Sequence, residues 1–402
     1  VFEKMKILMV TPRFSPKSGG GGFVVTDTLC KALVKRGHTV EVWTSDYQLD
    51  KEFVLKEYMN NPSICPFPAA VTLMGFHVTP LLCKLAKLAF KQKNYMWESK
   101  NGKHIGYKQF DIIHLHGCRT FQSVVVAYYA SKYKIPYIID SHGFPIQGKW
   151  LQKLILKTFD YLFANRVVRN ATLCIAQTDV NLEEYLRAGA KKDRVRVFPA
   201  PYDLSIFDDL PKRGKWRNRQ NVGSKALVVG FLGGLERIKG LDFLTKTFAN
   251  VCQRKDAYLV LAGTDMGFRK ELEVLIDKLG IGSKVIFTGY INGNDKLEYL
   301  VDCDVCVFPS RAESGFPFAA LEATMCGVPV IVTDGIGAAE DVRKMGCGCI
   351  VKFGDGKALA EAIQIAIDSG LNVEKGKEYI RKYRSIAESV KKYEEVYREA
   401  TT

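Results

Sequence analysis

Two α/β domains, each a parallel sheet in doubly wound, Rossmann-like order, are predicted by three observations. At 402 residues the chain exceeds the size at which one core keeps growing. Strand, glycine-rich turn, helix and strand follow one another at the start, and the same order restarts near residue 225. Such βαβ units make right-handed crossovers in parallel sheets. Short apolar runs also recur at regular intervals, among them FDIIHLHG, PYIIDSHG, TLCIAQTD, AYLVLAGT and KVIFTGYI. Runs of that kind suit strands buried on both faces. The expected division is 1–205, 206–380 and a terminal helical segment, 381–402.

Composition narrows the partners. A net charge of +15 favours nucleic acid, anionic lipid head groups or phosphorylated substrates. No nucleic-acid-binding module accompanies the charge, so nucleic acid is not expected. No stretch reaches the ~20 uncharged apolar residues of a membrane span, and LLCKLAKLAF is interrupted twice by lysine. The opening KILMV is too short and too soon followed by Pro12 to be a signal-peptide core, so a cytoplasmic chain, at most peripheral at a membrane, is expected. Its 11 cysteines, an odd number in a large protein, argue against a secreted disulfide framework. Cys303, Cys306, Cys347 and Cys349 have spacings that could ligate zinc. DCDVCVFPS reads as a buried strand, however, whose alternation would aim Cys303 and Cys306 at opposite faces. Core thiols and no metal are expected.

Taken in order, residues 6–11 form a strand, FVVTDTLCKALVKRG a helix ending at Gly37, and HTVEVWTSD the second strand. The loop 19–22 between them lacks both the G-x-G-x-x-G spacing and the P-loop ending. Its four glycines allow close backbone approach and free N–H groups at a helix N-terminus, which suits a phosphate. A flexible surface loop is the other reading. Residues 48–108 are less regular. Within them Lys84, Lys87, Lys91 and Lys93 punctuate apolar residues at near-helical spacing. A basic amphipathic helix of this kind lies on an anionic membrane or presents a solvated lysine face. A second basic run follows at Lys149, Lys153, Lys157, Arg166 and Arg169. If both runs share a face, a phosphate-bearing lipid acceptor fits.

FDIIHLHG and PYIIDSHG each end in His-Gly. As parallel strands they would open toward a crevice at their C-terminal ends, making His116 and His142 pocket candidates. RVRVFPAPYDLSIFDDLPKRGKW is a proline-rich exit from the first domain, and KALVVGFLGGLERIKGLDFL opens the second.

The stretch 309–333, PSRAESGFPFAALEATMCGVPVIVT, reads as loop, helix and strand. Pro317 suits a first helical turn and Gly327 a left-handed C-cap, giving a helix over 317–326 and a strand over 328–333. Glu322 falls mid-helix, while Glu313 and Ser314 lie in the loop leading to its N-terminus. Polar loop groups beside exposed helix N–H donors make an anion or hydroxyl site; solvated acids are the plainer reading.

This stretch resembles the two-glutamate loop and helix of the retaining GT-B glycosyltransferases of the GT4 type. In that family the first Glu contacts donor-sugar hydroxyls, the second contacts the nucleotide ribose, and loop amides between them approach the donor. The resemblance gives the ribose to Glu322 and brings the Ser314, Gly315 and Phe316 backbone to the donor. Relatives place seven residues between the glutamates, and here eight separate Glu313 from Glu322. Either Gly315 is an insertion that lets Glu313 reach the sugar, or Ser314 takes that role.

The resemblance covers nearly the whole chain. It implies a GT-B fold of two Rossmann-like domains facing a central cleft, with the last helix packed back across the first domain. Apolar Ile386, Val390, Tyr393 and Tyr397 in the final segment have helical spacing. Gly20 and Gly21 would face the donor's phosphates, and His142 would meet the donor sugar. His116, Lys84 and Lys87 would lie on the acceptor side. Relatives clamp the phosphates with an Arg and a Lys; Lys239 matches the Lys, Gly234 stands in place of the Arg, and Arg237 of the same turn is the candidate substitute. Backbone at Tyr290 and Ile291 would receive the base. Ala200 and Pro201 replace an Asn-Gly, and Ala338 replaces a glycine before a helix.

The implied reaction is metal-independent, cofactor-free transfer of a hexose from a nucleotide-diphosphate donor to a hydroxyl acceptor, with a lipid-linked or cell-surface glycan as the candidate acceptor and with His142, Lys239 and Glu313 as the catalytic set. The rival readings are an epimerase or hydrolase on the same fold, and a sugar-nucleotide-binding subunit of a membrane assembly.

Overall fold

The computed structural model describes residues 3–15, 21–50, 52, 63–73, 76–91, 94–98, 104–108, 110–144, 150–313, 315, 317–368 and 371–402. The chain forms two compact units, one of Val1–Asp203 with Arg384–Thr402 and one of Leu204–Tyr383.

The first unit is built on β1 (Lys6–Val10), β2 (Thr39–Ser45) and β3 (Ser63–Phe67). Two antiparallel hairpins follow, β4 (Val71–Leu73) with β5 (Phe76–Val78) and β6 (Asn94–Glu98) with β7 (His104–Lys108). The main sheet resumes with β8 (Ile112–His116), β9 (Tyr137–Asp140), β10 (Leu173–Ala176) and β11 (Val195–Val197). Its order is β11-β10-β9-β8-β1-β2-β3, parallel throughout.

Alternation along β1 splits the core between two layers. Leu8 and Val10 join Leu82, Val126 and Val167 on one face. Ile7 and Met9 join Leu29, Leu33, Tyr393 and Tyr397 on the other. The helix Ile386–Thr401 thus shares a layer with the helix Gly21–Lys35. The irregular stretch of the sequence reading contains the edge strand β3, where Pro66 is tolerated at the sheet margin, and the helix Pro80–Lys91.

The second unit carries β12 (Leu227–Leu232), β13 (Ala257–Ala262), β14 (Val285–Gly289), β15 (Val305–Phe308), β16 (Val330–Thr333) and β17 (Gly348–Val351). The order β14-β13-β12-β15-β16-β17 is again parallel, and it reverses direction between β12 and β15. In open α/β sheets such a switch point, at the strands' C-terminal ends, is where ligands bind.

Two sequence expectations shift here. The helix in 309–333 runs Phe318–Met325, and Pro317 is its extended N-cap, not its first turn. At the other end Gly327 has φ +83° and the Val328 amide is spent on Ala323 O at 2.9 Å. Pro329 lacks an N–H, so the strand begins only at Val330. Cys303 is not in a strand either: it caps the helix Gly293–Asp302, and β15 starts at Val305. Strand alternation therefore does not govern it. Its thiol and that of Cys306 converge on Gly230, where a Cβ would lie 2.6 and 3.2 Å from the two sulfurs. A hydrogen bond with Cys303 and burial push the Cys306 thiol well above its usual range. The 11 cysteines are free, and among the described residues no group of three or more His, Cys, Asp or Glu is placed to hold a metal ion.

Candidate functional site

In the first unit the strand ends of β8 and β9 deliver two histidines to each other. His116 Nδ1 and His142 Nε2 are 2.9 Å apart, and the rings lie 12° from parallel. His142 sits at φ +54°, a left-handed conformation rare outside glycine. Its amide donates to Asp140 Oδ1 at 3.2 Å, which holds the turn. Asp140 is fully buried and also accepts from Tyr393 Oη at 2.9 Å and from Gln177 Nε2 at 3.1 Å. The same Gln177 nitrogen lies 2.7 Å from His142 Nδ1.

His142 Nδ1 also lies 3.3 Å from Asp140 Oδ1, but the amide nitrogen at 2.7 Å is the closer partner and can only donate, so His142 Nδ1 accepts. The His142 proton then resides on Nε2 and is given to His116 Nδ1. Burial, reinforced by His114 and His142, holds His116 well below its usual pKa. Burial likewise lowers His114 to about 3, against the pull of Asp140. Both rings are neutral at neutral pH. His114 Nδ1 contacts Tyr397 Oη at 2.9 Å, and the Nε2 atoms of His114 and His116 have no partner among the described residues.

The helix Gly21–Lys35 starts beside this pair: a Cβ on Gly22 would lie 3.7 Å from His142 Cδ2. Gly21 is its exposed first residue; Gly20 is outside the described residues. Lys84 and Lys87 occupy the exposed side of the helix Pro80–Lys91, whose other side buries Leu82, Leu85, Ala86 and Phe90. Lys93 and Lys149 are outside the described residues.

In the second unit the switch point between β12 and β15 is crowded and polar. The turn after β12 closes as a short 3-10 segment, Arg237–Lys239, then Gly240 at φ +67°. A Cβ on Gly240 would be 2.0 Å from Pro309 O, so only glycine fits. That approach presses the Lys239 turn onto the loop after β15, where Lys239 Nζ meets Glu313 Oε1 at 2.5 Å. Ser310 Oγ donates to Glu313 Oε2 at 2.8 Å, and the Gly337 amide donates to Glu313 O at 2.7 Å. Both carboxylate oxygens and the carbonyl are thereby fixed, while the side chains of Lys239 and Glu313 keep about a fifth of their surface open.

Arg237 is given other partners. Its guanidinium pairs with Glu271 and lies 4.9 Å from the Phe268 ring centroid. In a 3-10 turn, residues two apart point in different directions, so the turn that delivers Lys239 to Glu313 sends Arg237 elsewhere. Arg311 braces the turn instead: it donates to Arg237 O at 3.2 Å, pairs with Asp242 at 2.5 Å and stacks 4.6 Å from Phe353.

Glu322 is buried on the helix Phe318–Met325 and accepts from Lys296 Nζ at 2.8 Å. Tyr290 is exposed and Ile291 half-buried just after β14. Gly315 is half-buried, and Ser314 and Phe316 are outside the described residues.

The structure thus brings into contact residues the sequence reading named separately, His116 with His142 and Lys239 with Glu313. It adds Gln177 and Lys296. Neither carries a motif: each meets its partner across a sequence gap of 35 and 26 residues respectively.

Comparison with known proteins agrees with this architecture. The fold matches, across 97% of this chain and 98% of the other, the crystal structure of Anabaena HepE in complex with UDP and glucose, with a TM-score of 0.75 at 20% identity. It also matches sucrose-phosphate synthase from Thermosynechococcus elongatus, with a TM-score of 0.74 at 21% identity, over 98% and 99% of the two chains. Two parallel, Rossmann-like sheets of this kind define the GT-B glycosyltransferase fold. Residues 19–206 match Glycosyltransferase Family 4 and residues 212–384 match Glycosyl transferases group 1. An uncharacterized glycosyltransferase of Methanocaldococcus jannaschii is 28% identical, over 84% of this chain and 83% of its own length. The D-inositol 3-phosphate glycosyltransferase of Corynebacterium jeikeium is 30% identical over 52% of this chain and 53% of its own. The chain belongs to the group 1, family 4 glycosyltransferases.

Proposed function

We propose that this glycosyltransferase moves a hexose from a nucleotide-diphosphate donor to a hydroxyl acceptor, with retained anomeric configuration and without a metal ion. The observation that carries the reading is the Lys239–Glu313 pair at the second unit's switch point. Lys239 stands at the start of the helix Leu241–Cys252, so its ammonium and the first-turn N–H groups offer one electropositive corner to a diphosphate.

In the reaction the bond from the anomeric carbon to the β-phosphate oxygen breaks, and a bond to the acceptor oxygen forms on the same face. The acceptor's proton passes to the departing phosphate. Negative charge grows on that phosphate, and Lys239 with the helix amides stabilises it. Glu313 takes sugar hydroxyls, Glu322 takes the ribose, and the Tyr290–Ile291 backbone takes the base. Gly20 and Gly21 face the phosphates, and the Ser314, Gly315 and Phe316 segment completes the donor loop. His142 orients the sugar, His116 supports it, and Lys84 and Lys87 serve an acceptor that is lipid-linked. Arg237 has no phosphate role in this scheme. The UDP bound by Anabaena HepE favours UDP-sugars as the first donors to try.

A thermal-shift panel of UDP-, GDP- and ADP-sugars tests this. A cognate donor at about a hundred times its Kd adds about 2.7 kcal/mol of apparent stability. Lys239→Ala and Glu322→Ala each abolish the shift if the assignment holds. A panel with no shift, or fast donor hydrolysis or isomerisation without acceptor, overturns it.

A further inference from the structure

The helix Trp150–Phe159 is anomalous for a surface helix, since none of its ten residues is buried. It continues through a π-turn, Asp160–Ala164, into the helix Asn165–Asn170, and the inward side of that continuation is well packed. Asp160 is held by Arg119 at 2.7 Å, and Ala164, Val167 and Val168 join the core. The segment is therefore anchored at its C-terminal end while its outward side stays apolar. Trp150 and Tyr161 are each 76% exposed, and Leu151, Leu154, Ile155, Leu162 and Phe163 of the same segment are exposed with them. Lys153, Lys157 and Arg166 are interleaved with these residues, all exposed, and enter no ion pair among the described residues.

Seven large apolar side chains on one short segment exceed the scattered exposure normal for a soluble surface. Something of matching chemistry covers them. A second copy of the chain is disfavoured, because a two-fold pairing of this face brings its Lys153, Lys157 and Arg166 cluster close to a second cluster of the same charge. A bilayer interface fits each part of the pattern. Aliphatic residues enter the acyl boundary, Trp and Tyr sit at head-group level, and lysine stems lie along the apolar surface with their charges in the head groups. The unpaired cations and the net charge of +15 select an anionic surface.

We infer that the outward face of residues 150–166 docks this protein on an anionic bilayer. The inference deepens the reading of a lipid-linked acceptor by naming the contact, yet its test reads bilayer binding and needs no turnover.

The full chain is sedimented with vesicles of phosphatidylcholine plus phosphatidylglycerol, and with vesicles of phosphatidylcholine alone, at low and high salt. Binding is expected to the anionic vesicles at low salt. It should fall about tenfold in Lys153→Glu/Lys157→Glu and by at least as much in Leu154→Gln/Ile155→Gln. The substituted residues are exposed, and an unchanged melting temperature certifies each variant's fold. Absence of wild-type binding, equal binding to neutral vesicles, or undiminished binding by either variant overturns the inference. So does a dimer seen by light scattering that Leu154→Gln/Ile155→Gln dissociates, since the face would then be a subunit interface. Failure here leaves the donor panel untouched, and failure of the donor panel leaves vesicle binding untouched.

Discussion

Gln177 spends one side-chain nitrogen on two acceptors, Asp140 and His142. That choice fixes which ring nitrogen of His142 carries the proton, and hence which can accept. With only six histidines in the chain, [15N]histidine spectra can read the tautomer directly, using His142→Asn to assign the signal. Wild type should show the Nε2–H form. Gln177→Leu should give a mixture and lose about 1 kcal/mol of stability, whereas an unchanged His142 signal would refute the positioning role. Lys239 and Glu322 stand in family motifs that the sequence itself displays. Gln177 and Lys296 do not, because a contact made by the fold across tens of residues leaves no local pattern. Spacing alone also left Glu313 and Ser314 as equal candidates; Glu313 accepts from Lys239 and Ser310, and Ser314 lies outside the described residues.

At the level of elements, the close approach at Gly240 decides whether the β12 turn and the β15 loop can coexist. Gly240→Ala combines a left-handed φ with a Cβ driven into Pro309 O, and should cost at least ~3 kcal/mol. Gly267 provides the control. It has φ +92° but nothing within 4 Å of an added Cβ, so Gly267→Ala should cost only about 1–2 kcal/mol. Equal melting-temperature losses for the two would mean that the contact with Pro309 is unimportant. The parallel strands were readable because burial on both faces leaves continuous apolar runs. The two hairpins within residues 63–108 were not, since short strands at a unit's margin need neither a run nor an alternation. Cys303 misled for a related reason: a helix end and the strand after it both tolerate apolar residues, and sequence does not mark the join.

At the scale of the molecule, the first unit is assembled from segments far apart in the chain. Glu394 of the returning helix accepts from Arg36 at 2.5 and 2.8 Å and from His38 Nε2 at 3.1 Å, while His38 Nδ1 accepts from the Met5 amide. Burial opposes the carboxylate's charge, but the hydrogen bonds from Arg36 and His38 outweigh it and hold Glu394 below the usual glutamate range. A depressed folded-state pKa contributes stability that is present above the unfolded value of about 4.3 and lost as pH falls through the folded one. Glu394→Gln should therefore cost about 1–3 kcal/mol at neutral pH. The deficit should shrink in acid, where wild type has lost the same contribution. Parallel pH–stability curves for the two proteins would contradict this account.

The return of Ile386–Thr401 to Asp140, His114 and Arg36 also sets an order of events during synthesis. A ribosome that has finished β11 has made every strand of the first sheet, yet neither Tyr393 nor Tyr397 exists to close its second layer. All of Leu204–Tyr383 must be translated first, a delay of about ten seconds or more at ordinary elongation rates. During that interval the nascent first unit holds an uncovered apolar face and a carboxylate, Asp140, short of one donor. The second unit, contiguous in sequence, can finish folding before the first.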